Sequence, residues 1–275
     1  MIAGAVSLGS PLPWTKLPFH FDPALLRSDL DAIADAEWVL HFNRADFAGE
    51  WSGVSLRSRS GRVQDLSATG SPDDFSDTEL MIRCPHLRAV VESLPFPLKA
   101  VRLLRLHAGS RVKEHRDPDL GLSDGELRIH VPVETNEQVE FIVANRMLPL
   151  KEGEAWYIDF SQPHRIVNGG STPRTHLIID GHLNDWAREL LLKASREIAT
   201  ETFDPPGMLQ FDRFRSLVYE DSALQKELLE VRTPAALLQA VTTAGARCGF
   251  AFSPEDVDSV LQSNRREWML RTLQI

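Results

Sequence analysis

A histidine and an aspartate stand two residues apart in KEHRDPDLG, residues 113–121, directly after an alternating apolar run. Side chains separated by one position in an extended segment lie on the same face, so His115 and Asp117 point the same way. Such a pair is either the solvated end of a strand or part of a metal site. A third potential ligand, His164, follows a later strand-like block in FSQPHRIVN.

A pair of strands folded into a barrel would bring His164 back beside His115 and Asp117. Two imidazoles and one carboxylate on one face of a metal ion form the facial triad of non-haem Fe(II) oxygenases, which leaves three coordination positions open. A chelating 2-oxo acid needs two of those positions, and dioxygen needs the third. The set therefore predicts an iron site, with no catalytic residue beyond the metal centre.

Two strand-like segments add cationic side chains to the same region. In LRIHVPV, residues 127–133, the aliphatic residues occupy one face and Arg128 and His130 the other. In RTHLIID, residues 174–180, the same alternation places Arg174 on the face opposite Leu177 and Ile179. Cationic side chains inside a barrel are costly unless an anion lies there, and a guanidinium binds a carboxylate through two hydrogen bonds. The alternative is that Arg128 and His130 face solvent on a half-exposed sheet.

The elements that must position these residues are short strands. Between about residues 98 and 182, β-branched and aliphatic runs alternate with turn-rich pieces, which predicts a double-stranded β-helix, or jelly roll, of the cupin type. Helical spacing over residues 22–40, with Asp22 as N-cap, predicts a flanking helix. After DPPG, residues 204–207, the spacing is helical. The sequence thus predicts a mainly β domain at 1–203 and an α-helical domain at 204–275.

Composition restricts the function classes. The 275 residues carry a formal net charge of −9, which argues against broad binding to nucleic acid or to an anionic membrane. The two cysteines form neither a disulfide framework nor a Cys-X-X-Cys pair. The N-terminal segment MIAGAVSLGSPLPW lacks the basic region of a signal peptide, and no run is long enough to span a bilayer. We therefore expect a cytoplasmic location.

Three ordered stretches resemble the aspartyl/asparaginyl β-hydroxylase family. They are LLRLHAGSRVKEHRD, LRIHVPV and GEAWYIDFSQPHRIVNGGSTPRTHLIID, and the resemblance extends over roughly residues 38–186. It leans toward the bacterial branch that includes the proline hydroxylases acting on the free amino acid. Members of this family are Fe(II)- and 2-oxoglutarate-dependent dioxygenases on a double-stranded β-helix.

The resemblance implies roles for individual residues. The positions that match the iron ligands are His115, Asp117 and His164. Arg174 matches the arginine that grips the far carboxylate of 2-oxoglutarate, and Arg128 and His130 match the Arg-X-His strand that lines the same pocket. For the substrate we expect contacts from Trp51 and Arg57, and we expect His107, His176 and His182 to be structural or surface residues.

The predicted function is hydroxylation of an amino acid, free (proline, aspartate or asparagine type) or in a peptide, with formation of succinate and CO₂. Two alternatives remain open: a non-oxidative cupin-like metal enzyme, and a silent barrel that serves as a binding module. Arg174 at its offset from His164 argues against the first, because such an enzyme needs no clamp for a keto acid. The intact ligand set argues against the second.

The C-terminal segment ALLQAVTTAGARCGFAFSPEDV lies outside the family core. It resembles the short helical leader-type domain found at the front of some ribosomally made peptide precursors. The alternative is an accessory helical bundle that packs on the barrel or forms a dimer contact. We therefore expect either a homodimer or a peptide partner through these helices.

Overall fold

The computed structural model describes residues 13–117, 120–197 and 205–261, and the chain divides into two compact units. The first unit contains the described residues up to 144 and from 148 to 197, and the second contains 145–147 and 205–261. The predicted boundary between residues 203 and 204 lies outside the described residues. No helix in the described ranges is both long enough and apolar enough to cross a membrane.

The first unit is mainly β, and short helices flank its strands. Its strands are β1 (Trp14–His20), β2 (Val39–Leu40), β3 (Phe47–Ala48), β4 (Trp51–Ser58), β5 (Ser76–Asp77), β6 (Leu98–Leu106), β7 (Arg111–His115), β8 (Glu126–Glu134), β9 (Val139–Val143), β11 (Glu154–Ile158), β12 (His164–Asn168) and β13 (Arg174–His182), while the short β10 (Arg146–Met147) belongs to the second unit. The α-helices in the described residues include α1 (Pro23–Asp31), α2 (Glu79–Arg83), α3 (Pro85–Glu92), α4 (Asp185–Glu197), α5 (Pro206–Glu220), α6 (Ser222–Leu229) and α7 (Pro234–Arg247).

The strands form two antiparallel sheets. Within the first unit, the larger has the order β1-β11-β8-β13-β6-β4-β2, with β5 beside β4, and the smaller has the order β9-β12-β7-β3. Strands that are distant in sequence alternate across both sheets, as in a jelly roll. The architecture is the predicted double-stranded β-helix. The predicted site residues lie on β4, β7, β8, β12 and β13, except Asp117, which follows β7.

The central strands of the larger sheet have two faces of different chemistry. Four aliphatic residues of β8 and two of β13 pack with α1, α3 and α4 in one apolar core; they are Leu127, Ile129, Val131, Val133, Leu177 and Ile179. The opposite face points between the sheets. His130 is 2% exposed there, and the side chain of Arg128 is 11% exposed. The alternative that these two residues face solvent is therefore wrong.

The first helix begins as predicted and ends early. Asp22 Oδ1 accepts a hydrogen bond from the N–H of Ala24 over 2.9 Å, and α1 ends at Asp31. The segment beyond it is drawn into the larger sheet, where β2 pairs with β4. The guanidinium of Arg105 also lies 3.7 Å from the centre of the Trp38 ring. These tertiary contacts outweigh the helical spacing of the later residues.

Apart from the short strand β10, the described part of the second unit is helical. It contains α5, α6, α7 and a further helical segment at residues 254–261. Its own apolar core is formed by Phe211, Phe214, Leu224, Val241, Ala244, Val257 and Val260. A Cβ at Gly245 would lie 2.2 Å from the Phe252 ring, so glycine allows the aromatic ring to pack against α7.

Candidate metal centre and co-substrate cavity

The three predicted metal ligands lie together where β7 ends and β12 begins. His115 is the last residue of β7 and His164 the first of β12, and the two are register partners in this antiparallel pair. Asp117 lies two residues beyond β7, where its N–H donates to the carbonyl of Phe160 over 2.9 Å. One ligand atom of each residue lies within 4.8 Å of those of the other two.

Main-chain carbonyls fix the tautomer of both imidazoles. His115 Nδ1 lies 2.8 Å from the carbonyl oxygen of Lys113, and His164 Nδ1 lies 3.0 Å from that of Gln162. Because a carbonyl only accepts, each Nδ1 carries the proton when the ring is neutral, and each Nε2 offers a lone pair. Two Nε2 atoms and one carboxylate are a donor set that suits Fe(II) and leaves coordination positions open. The residues present therefore fit the metal that the sequence predicts.

The ligands differ in how they hold protons. Burial and the neighbouring His115 lower the pKa of His164 to about 4. Burial also acts to lower the pKa of His115, but hydrogen bonding to Asp117 and to the Lys113 carbonyl outweighs it and raises this pKa above its ordinary value. The pKa of Asp117 is held well below its usual range: burial opposes this, but His115 and Arg128 outweigh it. The carboxylate is therefore ionised at neutral pH, as a ligand must be.

Arg128 connects the ligand carboxylate to a second buried acid. Its Nη1 donates to Asp117 Oδ2 over 2.9 Å, and its Nε donates to Asp180 Oδ1 over 2.5 Å. Asp180 also accepts from Arg102 Nη2 over 2.5 Å. Asp117 Oδ1 lies 3.5 Å from His115 Nε2, on the side of the other ligands. Arg128 thus holds one carboxylate oxygen and leaves the other facing the metal position.

A cavity of about 270 Å³ lies beside the ligands, and all three line it. Arg128, His130 and Arg174 also line it, as do Trp51, His41 and Phe160. Arg128, His130 and Arg174, which sequence alternation places on inward faces, therefore line a single cavity. This volume is close to the lower end of ordinary small-molecule sites.

Arg174 is a buried cation that has no acidic partner among the described residues. It is 1% exposed, its Nη2 lies 2.7 Å from His176 Nδ1, and its Nε has no hydrogen-bond partner. Burial alone lowers its pKa to about 9. A buried guanidinium without an acidic partner among the described residues is costly, and a bound carboxylate would remove that cost.

Aromatic rings form the wall between the metal ligands and Arg174. His130 stacks on Phe160 with ring centres 4.9 Å apart, and Phe160 meets His164 edge-on at 4.6 Å. Burial, followed by the charge of Arg174, lowers the pKa of His130 well below its ordinary value, so this ring is neutral. Its Nε2 is buried without a hydrogen-bond partner and can serve a ligand of the cavity.

The two residues predicted to contact substrate lie in different places. Trp51 lines the cavity and stacks on His41 with ring centres 3.7 Å apart. Arg57 lines a separate cavity, where its Nη1 lies 2.8 Å from Asp77 Oδ1. In a regular strand the two side chains would share a face, but β4 has a bulge between Ser55 and Arg57. The structure therefore does not bring Arg57 to the metal site.

Several cavity residues were not predicted. His41 reaches the cavity from the loop between β2 and β3, and Arg102 from β6. Asp180 and His176 do not line the cavity, but they hydrogen-bond to Arg128 and Arg174, which do. Sequence reasoning could have found them, because both share the inward face of β13 with Arg174. No pattern in the sequence indicates the position of His41.

Comparisons with known proteins agree with this geometry. The family model for aspartyl/asparaginyl beta-hydroxylase matches residues 22–182, more than half of the chain. The L-proline cis-4-hydroxylase of Rhizobium meliloti (strain 1021) is 27% identical over 190 residues, which make up 68% of this chain and 66% of that enzyme. The chain thus matches slightly less than two thirds of the length of this relative.

Solved structures show only distant similarity. A prolyl-4-hydroxylase from Pseudomonas putida is 12% identical, with a TM-score of 0.39, over 62% of this chain and 92% of that one. An oxidoreductase of the 2OG-Fe(II) oxygenase family from Burkholderia pseudomallei is 12% identical, with a TM-score of 0.38, over 58% and 79%. Similarities of this size say nothing about activity. The family match, which includes all the strands that hold the ligands, shows that the chain belongs to the aspartyl/asparaginyl β-hydroxylase family.

Proposed function

We propose that the chain is an Fe(II)- and 2-oxoglutarate-dependent dioxygenase that hydroxylates an amino acid, with formation of succinate and CO₂. One observation carries the proposal. The cavity joins a triad of two histidines and an aspartate to Arg174, a buried guanidinium that has no acidic partner among the described residues. A dicarboxylic 2-oxo acid could bind the metal through its 2-oxo acid end and Arg174 through its other carboxylate.

The residues of the chain have distinct tasks in this reaction. Bound Fe(II), with 2-oxoglutarate and O₂, supplies the oxidising chemistry. His115, Asp117 and His164 hold the metal on one face and leave the remaining positions open. Arg174 binds the far carboxylate of 2-oxoglutarate, while Arg128 holds the Asp117 carboxylate in place.

His130 completes the proposed co-substrate pocket together with Arg128. Both line the cavity, and the unpartnered Nε2 of His130 is available to the bound 2-oxo acid. The ring of Phe160 lines this part of the cavity, and Phe141 packs edge-on against it with ring centres 6.3 Å apart. Hydrogen bonds made by the guanidinium groups in such apolar surroundings are stronger than in water.

The charges of the cavity favour a free amino acid over a residue within a peptide. Among the described residues, the cationic side chains of Arg102, Arg128 and Arg174 lie with three carboxylates, those of Asp46, Asp117 and Asp180. A divalent metal and a doubly charged co-substrate also cancel each other. The loaded cavity is then close to neutral, which suits the zwitterion of a free amino acid. The relative is an L-proline hydroxylase, and we propose a substrate of the same class, or of aspartate or asparagine type.

The test is succinate formation from 2-oxoglutarate by Fe(II)-loaded protein in air, with a panel of free amino acids and of the same residues in short blocked peptides. We expect succinate to rise with one free amino acid, and its product to be heavier by one oxygen atom. Metal binding without 2-oxoglutarate binding would instead favour a non-oxidative metal enzyme. Binding of neither would favour a silent barrel.

For the helical part of the chain we propose a separate domain at residues 204–275. Its described helices share an apolar core of their own, which supports independent folding. A fragment of these residues should unfold in one cooperative thermal transition; a fragment with no transition would contradict the proposal. We further propose that these helices mediate a homodimer or bind a peptide, which the oligomeric state of the full chain with and without residues 204–275 would test.

A further inference from the structure

His176 is a buried polar residue that has no role in the metal centre described above. It is 1% exposed and shares the inward face of β13 with Arg174, and its Nδ1 lies 2.7 Å from Arg174 Nη2. A guanidinium has only N–H donors, so Nδ1 accepts this hydrogen bond and Nε2 carries the proton of the neutral ring. Burial and the nearby positive charge of Arg174 lower the pKa of His176 well below its ordinary value.

This hydrogen bond is the one directional restraint on the Arg174 guanidinium that the described residues provide. Nε is buried without a hydrogen-bond partner, and no carboxylate pairs with the group. The ring of Phe141 lies 5.1 Å from Cζ and limits movement toward that side. A ring face imposes no direction on individual N–H groups. The rotation of the guanidinium in its own plane is therefore set by His176.

The other surroundings of His176 do not call for a polar side chain. Its ring lies parallel to that of Phe141, with centres 6.1 Å apart, and its strand neighbours in register are Leu104 and Pro132. His130 Nδ1 approaches Nδ1 of His176 only at 3.4 Å. A leucine would suit these neighbours as well as an imidazole does. The acceptor of His176 serves Arg174.

We propose that His176 is a positioning residue for co-substrate binding: it holds Arg174 in the orientation in which its remaining N–H groups meet the far carboxylate of 2-oxoglutarate. The inference rests on the proposed function, and His176 itself touches neither the co-substrate nor the reacting atoms. A two-point guanidinium–carboxylate contact needs the guanidinium fixed in the carboxylate plane. Fixing it before binding avoids the loss of side-chain freedom on binding.

The test compares H176L, which removes the acceptor, with H176N, whose amide oxygen can occupy the position of Nδ1. Binding of 2-oxoglutarate is measured by calorimetry on protein loaded with Mn(II), so that no turnover is involved. We expect H176L to raise the Kd for 2-oxoglutarate about tenfold, in line with the loss of one hydrogen bond to a charged group. Mn(II) affinity should stay within about twofold, and H176N should restore most of the lost affinity.

A double-mutant comparison separates positioning from packing. In an R174M background, H176L should weaken 2-oxoglutarate binding no further, because the group it orients is gone. Wild-type affinity in folded H176L would overturn the proposal, and so would an equal loss in both backgrounds or in H176N. Should H176L not fold, H176N against H176Q gives the same comparison, because the longer amide moves the acceptor away from Arg174. A wild-type protein that binds Mn(II) but no 2-oxoglutarate would instead remove the proposed function, and this inference with it.

Discussion

Two buried arginines in the same cavity are held in opposite ways. Arg128 lies between the carboxylates of Asp117 and Asp180, and their attraction outweighs burial and raises its pKa. Arg174 has a neutral histidine as its hydrogen-bond partner, and burial lowers its pKa to about 9. Both side chains lie on inward faces of neighbouring strands of one sheet.

The two ends of the cavity therefore differ in whether the fold itself supplies the partner charges. At the metal end, every charge that orients the Asp117 ligand is already present in the fold. At the other end, the Arg174 cation is buried without a counter-ion among the described residues, so a bound anion would supply one. The paired Arg128 stabilises the fold, whereas the unpaired Arg174 favours binding of an anion. Replacing Arg128 should therefore lower mainly the free energy of unfolding, and replacing Arg174 should lower mainly the affinity for 2-oxoglutarate.

The most severe way to break the metal end is to remove a ligand. D117A or H115A should lower substrate-dependent succinate formation at least a thousandfold, to background, because two remaining ligands cannot hold the metal in an open facial site (on the order of 10³). H20A is the matched control, since His20 is exposed at the end of β1. A folded D117A protein that retains full activity would contradict the assignment.

The next largest effect should come from R174M. Loss of a two-point charged contact should raise the Kd for 2-oxoglutarate by about a hundredfold, with metal affinity unchanged. In the ligand-free protein the same change should alter the free energy of unfolding by less than about 1 kcal/mol, or stabilise the fold, because it removes an unpaired buried charge. Calorimetry and thermal unfolding measure the two effects, and unchanged 2-oxoglutarate affinity would exclude Arg174 as the clamp.

R128M should show the reverse pattern in stability. It leaves Asp117 without its arginine and Asp180 with Arg102 alone, so the free energy of unfolding should fall by about 3 kcal/mol. Metal affinity should fall about tenfold, as expected when a side chain that orients a ligand is removed. Urea unfolding and metal titration give both values. Equal unfolding free energies for R128M and R174M would contradict the difference between the two arginines.

The smallest effect concerns pH. The pKa of His164 is lowered to about 4, whereas that of His115 is raised above its ordinary value. A metal binds neutral imidazole, so between pH 7 and 5 only His115 should release a proton on binding. We expect metal affinity to fall with pH by no more than about tenfold per unit in this range. Titrations in buffers of different ionisation enthalpy count the protons, and release of two would contradict the asymmetry.

Sequence reasoning succeeded where the signal was local. Period-two alternation gives the two faces of β8 and β13, and residue type singles out three side chains that the fold brings together, His115, Asp117 and His164. It failed where a single residue shifts the pattern, as at the bulge that turns Arg57 away from Trp51. It also could not foresee that Asp180 joins Arg128 and Arg102, because that contact depends on the register of β13 with two other strands. His41 is placed by a loop, whose path no periodicity describes.

The main-chain carbonyls behind the two histidine ligands have a consequence for how this fold can diversify. Lys113 and Gln162 fix the imidazole protons through backbone atoms, which every amino acid at those positions would provide in the same backbone geometry. Mutations in the lining of the cavity can therefore accumulate without changing the tautomer of either ligand. Such changes leave both imidazoles prepared to bind a metal ion while other contacts in the cavity change.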